Sequence, residues 1–235
     1  MKKIFWVHGT KGGVGKSVSA AILTEYALRA TGSATIVEAD GSIPDVGRRF
    51  NNIEGVNAVS APITDAKSIY AALAKLEGID AENVIINLPA NATILDTKAS
   101  EIGEVINELE YDSRCLFVVG PGDDSARLAG ESMEDGIVSI CSSSVAIVNQ
   151  FFGAELEDFA WFTSSARTDW LKSGKTEFML PALEQRVTKN PDYLAPGTLS
   201  FLATKESPLC ITDRMLIRRW LAVGYTVCDQ ITGGE

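Results

Sequence analysis

The residues with the most chemistry at the closest spacing are Gly9-Thr10-Lys11-Gly12-Gly13-Val14-Gly15-Lys16-Ser17. An apolar run over 4–7 precedes them and reads as a first β-strand. The stretch 18–28 follows and reads as a helix. A strand, a glycine-rich turn and a helix start together make a phosphate cradle. Glycines let the backbone wrap an anion and aim several N–H groups at it. The helix start adds its unpaired N–H groups and the positive end of its dipole. Lys16 is placed to reach β- and γ-phosphates and the Ser17 hydroxyl to hold Mg²⁺. Gly12, Gly13, Val14, Gly15 and Val18 are the backbone of that nucleotide site.

Other candidates stand just past strand ends. Asp40 follows a strand over 34–38. Its carboxylate suits the orienting of an attacking water, or the holding of Mg²⁺ through that ion's waters. A turn-forming Asp is the plain alternative. Asn87 closes an apolar strand over 83–88. An amide there bonds a metal-bound water but brings no negative charge, and it also caps a strand end without any further role. Asn149 ends a strand over 144–149. No guanine-selecting Asn-Lys-x-Asp is present, since Gln150-Phe151-Phe152 follow Asn149, which favours ATP over GTP.

In the loop, Thr10 stands where the usual first glycine would, and Lys11 follows. This x-Lys-Gly-Gly-x-Gly-Lys-Ser variant resembles the deviant Walker A loop of the ParA/MinD family of dimeric ATPases. The resemblance implies that Lys11 crosses a dimer interface to the partner's nucleotide, with Lys11, Lys16 and Asp40 catalytic and Ser17 and Asp40 at the metal. Val37-Glu38-Ala39-Asp40 resembles the family's Asp-x-Asp switch I segment, with Glu38 in the first acidic place and Asp40 in the second, catalytic one. Asn87-Leu88-Pro89-Ala90 resembles switch II, but the usual Asp is Asn87. Slow hydrolysis with nucleotide binding retained is the expectation from that departure. Ala146-Ile-Val-Asn149 resembles the strand whose terminal Asn contacts adenine, although a turn Asn after a buried strand reads almost as well. Residues 164–167 are expected to close a loop over the base.

These residues need a scaffold that gathers strand ends. Helical spacing marks 65–77, 98–109 and 123–133, and a further strand falls over 114–120. Strand and helix alternate with short links, which predicts an α/β doubly wound, mostly parallel sheet flanked by helices, of the P-loop NTPase kind. Ligands bind such sheets at the carboxyl ends of the strands. The last third is less regular. A strand is expected over 159–162, a helix from 165 to 172 and a firmer helix over 212–223. With no linker or repeat, one domain over 1–235 is expected.

Composition narrows the rest. The 235 residues hold 21 Lys and Arg against 31 Asp and Glu, for a formal net charge of −10. That argues against a globally basic nucleic-acid surface. Cys115, Cys141, Cys210 and Cys228 are widely spaced with no Cys-x-x-Cys pair, so free cytosolic thiols are the reading. No signal peptide or membrane-length run is visible, and the tail lacks the basic amphipathic helix of MinD-like proteins. Arg214, Arg218 and Arg219 on the late helix, with Met215, Leu216, Trp220 and Leu221 inward, are either a non-specific DNA surface or a solvated face. Arg48 and Arg49 carry the same two readings. His8, the single histidine, reads as structural.

The resemblance thus implies a cytoplasmic Mg-ATP-dependent ATPase switch, an ATP-dependent homodimer, in plasmid or DNA partition or maintenance, including StbB-like proteins linked to conjugative transfer. A partner protein that stimulates hydrolysis and non-specific DNA are the expected partners, with no membrane. Two rivals stand beside it. One is a nucleotide-gated adaptor that hardly hydrolyses ATP. The other is a small-molecule enzyme similar to dethiobiotin synthetase and cobyrinate amidase.

Overall fold

The computed structural model describes residues 1–9, 12–41, 44–90 and 92–233. Seven described strands form one sheet: β1 (Lys3–His8), β2 (Ala34–Glu38), β3 (Val56–Ser60), β4 (Asn83–Asn87), β5 (Asp112–Val119), β6 (Ser143–Asn149) and β7 (Thr176–Leu180). Their order is β3-β2-β4-β1-β5-β6-β7, and every pairing is parallel. Covered on both faces, the central strands read as unbroken apolar runs, as parallel strands must.

The helices are α1 (Lys16–Thr31), α2 (Asp45–Arg49), α3 (Ala66–Glu77), α4 (Thr93–Asp96), α5 (Ala99–Glu108), α6 (Asp123–Asp135), α7 (Ser165–Lys172), α8 (Gln185–Thr188), α9 (Pro191–Leu194), α10 (Leu199–Leu202) and α11 (Ile211–Thr232). On one face of the sheet Trp6, Val37, Ile86 and Phe117 pack with side chains of α3, α5 and α6. On the other, Phe5, Val7, Ile36, Ile85 and Val118 pack under α1 and α11. Side chains alternate between faces along a strand. Glu38 and Asn87, each two residues past one of these α1-facing residues, therefore face α1 as well.

Helix α11 runs further than its expected 212–223. Gly224, just past the expected end, is the point where α11 meets α1: a Cβ there would lie 2.9 Å from Ile22 Cγ2. Beyond it Val227, Cys228 and Ile231 continue the buried stripe. Of the side chains expected inward, Trp220 and Leu221 are buried and Met215 is exposed.

The strand expected over 159–162 is not one. A 3₁₀ turn spans Ala160–Thr163 instead. Phe159 and Trp161 are both buried there, so the apolar pattern is real. Strand β7 takes the place beside β6, and the Ala160 N–H goes to the Pro121 carbonyl at 3.0 Å. Strands β3 and β7 lie where the sequence pattern marks no strand. Among the described residues no helix is long and apolar enough to cross a membrane.

Candidate nucleotide site

All the strand ends that matter meet at one edge. From β1 the chain passes through α1 to β2, beyond β4, while β5 flanks β1 on the other side. The crevice of such a sheet opens at this reversal. The glycine-rich loop leaves β1 there and enters α1 at Lys16. Gly15 adopts φ 110°, left-handed backbone that only glycine takes without strain. No side chain caps α1 and its first turn holds no acid, so the N–H groups and positive dipole end of a sixteen-residue helix are directed at the loop. Lys16 is 7% exposed. Burial pushes its ammonium down to about 8, against a pull upward from the Asp40 carboxylate. Lys11, like Thr10, lies outside the described residues.

Asn149 closes the other side of the loop. Its Nδ2 donates to the Val14 carbonyl at 3.0 Å, and its Oδ1 accepts from the Phe151 N–H at 3.1 Å. Gly15 lies so close that a Cβ on it would stand 2.3 Å from Asn149 Nδ2. Both ends of the amide thus serve the protein, and one Nδ2 hydrogen remains for a ligand. The sequence pointed to the residue but not to this tether.

At the opposite side of the crevice, β2 and β4 pair with Glu38 opposite Asn87. Asn87 Nδ2 donates to Glu38 Oε2 at 2.8 Å, and Glu38 Oε1 accepts from the Gly47 N–H of α2 at 2.7 Å. Both residues are under 4% exposed. Burial pushes the Glu38 carboxyl up, and the bonds from Gly47 and Asn87 oppose it. Asn87 Oδ1 is buried and has no hydrogen-bond partner among the described residues. Asp40 follows two residues after Glu38, and its field reaches Lys16. The structure thus gathers Gly12, Gly13, Val14, Gly15, Lys16, Ser17, Val18, Asp40, Asn87 and Asn149 around one crevice. Glu38 stands in the first acidic place of the switch I resemblance, and its pairing with Asn87 is what sequence spacing did not reveal.

Residues 164–167, expected to close over a base, form the start of α7. Ser164 caps α7 by accepting the Arg167 N–H at 3.1 Å. The Arg167 guanidinium forks onto Glu177 of β7, with contacts of 2.8 and 2.6 Å. His8 is buried, with Nε2 3.3 Å from Asp96 Oδ2 and its ring edge-on to Phe117. The late arginines are partly engaged: Arg214 Nη1 donates to the Lys205 carbonyl at 2.9 Å and Arg218 Nη2 to the Ala203 carbonyl at 2.8 Å. Arg49 turns inward, its Nη1 on the Tyr193 carbonyl at 3.1 Å and its guanidinium 4.9 Å from the Tyr193 ring centre. A cavity of about 300 Å³ lies beside the loop, lined by Ser17, Val18, Arg49, Tyr193, Leu199 and Trp220 among others.

Comparison with known proteins places this architecture. No family model matches the chain. Protein MobD of Acidithiobacillus ferrooxidans is 27% identical over 225 residues, which is 93% of each chain. The septum site-determining protein MinD of Pyrococcus horikoshii, solved with Mg-ADP, superposes with a TM-score of 0.56 at 16% identity, over 99% of this chain and 98% of that one. A ParA family ATPase from Chlorobium tepidum gives 0.55 at 15% identity, over 94% and 98%. The nucleotide-binding protein of Archaeoglobus fulgidus, solved with ADP, gives 0.53 at 13% identity, over 88% and 93%. The resemblance that begins in the loop therefore extends to the whole fold, which is that of the ParA/MinD ATPases.

Proposed function

We propose that the chain is a Mg-ATP-dependent ATPase switch of the ParA/MinD type, a homodimer when ATP is bound, acting in plasmid or DNA partition or maintenance. The observation that carries the reading is Lys16. Its ammonium is buried at an uncapped helix start, behind a left-handed glycine, where the N–H groups and the positive dipole end of α1 favour an anion. Polyphosphate is that anion. Solved relatives of the same fold hold ADP, one of them with Mg²⁺.

The residues present also fit a magnesium ion. Ser17 offers a hydroxyl on the first turn of α1, Asp40 a carboxylate after β2, and Asn87 a buried oxygen that no described residue bonds. A bound Mg²⁺ supplies charge neutralisation at the β- and γ-phosphates. The chain's own work is to bind and orient. Backbone N–H groups from Gly12 to Val18 hold the phosphate oxygens, Lys16 offsets their charge, and Asp40 accepts the hydrogen bond of the attacking water. Lys11 reaches the partner subunit's nucleotide in this reading, so two copies close face to face and separate after hydrolysis. Asn87 favours a second reading, an adaptor gated by ATP binding with little hydrolysis.

The test is steady-state ATP turnover with Mg²⁺, with and without non-specific DNA, against a Lys16→Ala background. Turnover above that background, raised by DNA, supports the switch. ATP binding without turnover moves the assignment to the adaptor. No ATP binding by the wild-type protein rejects both.

A further inference from the structure

The fold leaves one chemical question at its centre: a site built for a divalent cation has an uncharged amide at the end of β4. The register answers it. Asn87 and Glu38 are paired partners on adjacent strands, on the α1 face, both almost wholly buried. A carboxylate only accepts hydrogen bonds, so the Asn87 amide must present its nitrogen to Glu38, and its oxygen must point away. That oxygen is the buried acceptor with no bond among the described residues. A buried acceptor of this kind is costly unless something donates to it. Glu38 is held in turn by the Gly47 N–H, which donates to its other oxygen, Oε1, at 2.7 Å.

We propose that Glu38 is a positioning residue for the cation end of the phosphate site: it supplies, one hydrogen bond behind Asn87, the negative charge absent from the end of β4, and it fixes the Asn87 oxygen as an acceptor for a water of the cation's shell. The inference rests on the nucleotide reading above and deepens it. It also changes what the obvious repair would do. Asn87→Asp restores the acid of the ParA/MinD pattern, yet it sets two acceptor-only groups across a 2.8 Å contact that now holds a donor. The repair succeeds only if Glu38 is made a donor at the same time.

The experiment is a double-mutant cycle on the full chain with Asn87→Asp, Glu38→Gln and both together, read in two ways. The first readout is the urea midpoint of the ligand-free protein. The second is Mn²⁺ affinity in the presence of ADP, followed by electron paramagnetic resonance. Expected are a lowered midpoint for Asn87→Asp, restored in the double variant, and a loss of Mn²⁺ affinity of about tenfold for Glu38→Gln, as for other partners that orient a metal's ligands. The double variant returns to within about threefold of wild type, because its Asp and Gln again pair as acceptor and donor. Additive effects in both readouts overturn the proposal, as does Asn87→Asp alone raising Mn²⁺ affinity with an unchanged midpoint. A wild type that binds no nucleotide sinks the ATPase reading, whereas one that binds it while the cycle is additive sinks the role of Glu38 alone.

Discussion

The two ends of the crevice are built on opposite plans. At the β2–β4 end, buried polar groups bond in a chain, Gly47 to Glu38 to Asn87, which leaves the Asn87 Oδ1 as an open acceptor among the described residues, with Asp40 beyond. At the β6 end, one polar residue, Asn149, is buried and ties down the loop, and the chain then leaves the protein surface as Phe151, Phe152 and Leu156, all exposed. The first plan fixes geometry through hydrogen bonds that fail when one partner is removed. The second keeps a single tether and leaves its neighbours free of the core. Substitutions should therefore fall into two groups, with the tether itself the exception at the β6 end.

Gly15→Ala should have the largest effect. It forces a Cβ into left-handed backbone and against Asn149 Nδ2 at 2.3 Å. A loss of about 2 kcal/mol in urea unfolding is expected, with ATP binding abolished in a fluorescent-nucleotide titration. A variant that binds ATP like wild type would show that the loop is not held at this point.

Asn149→Ala comes next. It leaves the Val14 carbonyl and the Phe151 N–H without their partner, at about 1–3 kcal/mol. The same variant sharpens the comparison when inorganic tripolyphosphate is titrated beside ATP. Equal losses for both ligands mean that Asn149 acts on the loop. A larger loss for ATP means that its remaining Nδ2 hydrogen also reads the base.

A third effect is set by pH. Lys16 is pushed down to about 8 by burial, from an ordinary value of 10.5. The folded chain thus releases this proton first, and between about pH 8 and 10.5 the unfolded chain holds more protons. This group's contribution to stability therefore rises with pH across that window and is flat below it. Bound phosphates reverse the shift, since an anion favours the charged form. ATP binding at pH 8.5 should take up protons, and its affinity should fall as pH rises further. Calorimetry in buffers of different ionisation enthalpy measures the uptake, which Lys16→Ala should remove.

The same contrast explains how much of the molecule was legible in the sequence. The cradle is local, with strand, glycines, lysine and helix in one run, so its chemistry could be read directly. The buried strands β4 and β6 announce themselves as continuous apolar stretches. Strand β3, Val-Asn-Ala-Val-Ser at the sheet edge and half exposed, carries too few apolar residues to stand out. Strand β7 hides because its Thr-Glu-Phe-Met-Leu run spends a charged residue, Glu177, on Arg167 and Trp161. The Glu38–Asn87 bond joins residues 49 apart and exists only because β2 and β4 pair in this register. No local pattern encodes it. The Ala160–Thr163 turn misleads for the converse reason: its backbone bonds the Pro121 carbonyl and joins no ladder, while Trp161 reaches Glu177 of β7 only through its side chain.

The smallest effect is expected at the aromatic pair. Phe151 and Phe152 meet edge to face with ring centres 5.3 Å apart, yet they are 54% and 37% exposed, so much of their surface, and most of that of Phe151, already lies in water. Folding therefore gains little from them, and Phe151→Ser should shift stability by less than about 0.5 kcal/mol. The backbone at 151 keeps its bond to Asn149 whichever side chain it bears, so the tether survives the substitution. A drop comparable to that of Asn149→Ala in the same urea titration would mean that the β6 end is packed as closely as the β2–β4 end, and the contrast between them would fail. An unchanged midpoint leaves the contrast standing, with Asn149 as the buried side chain that ties this end to the loop.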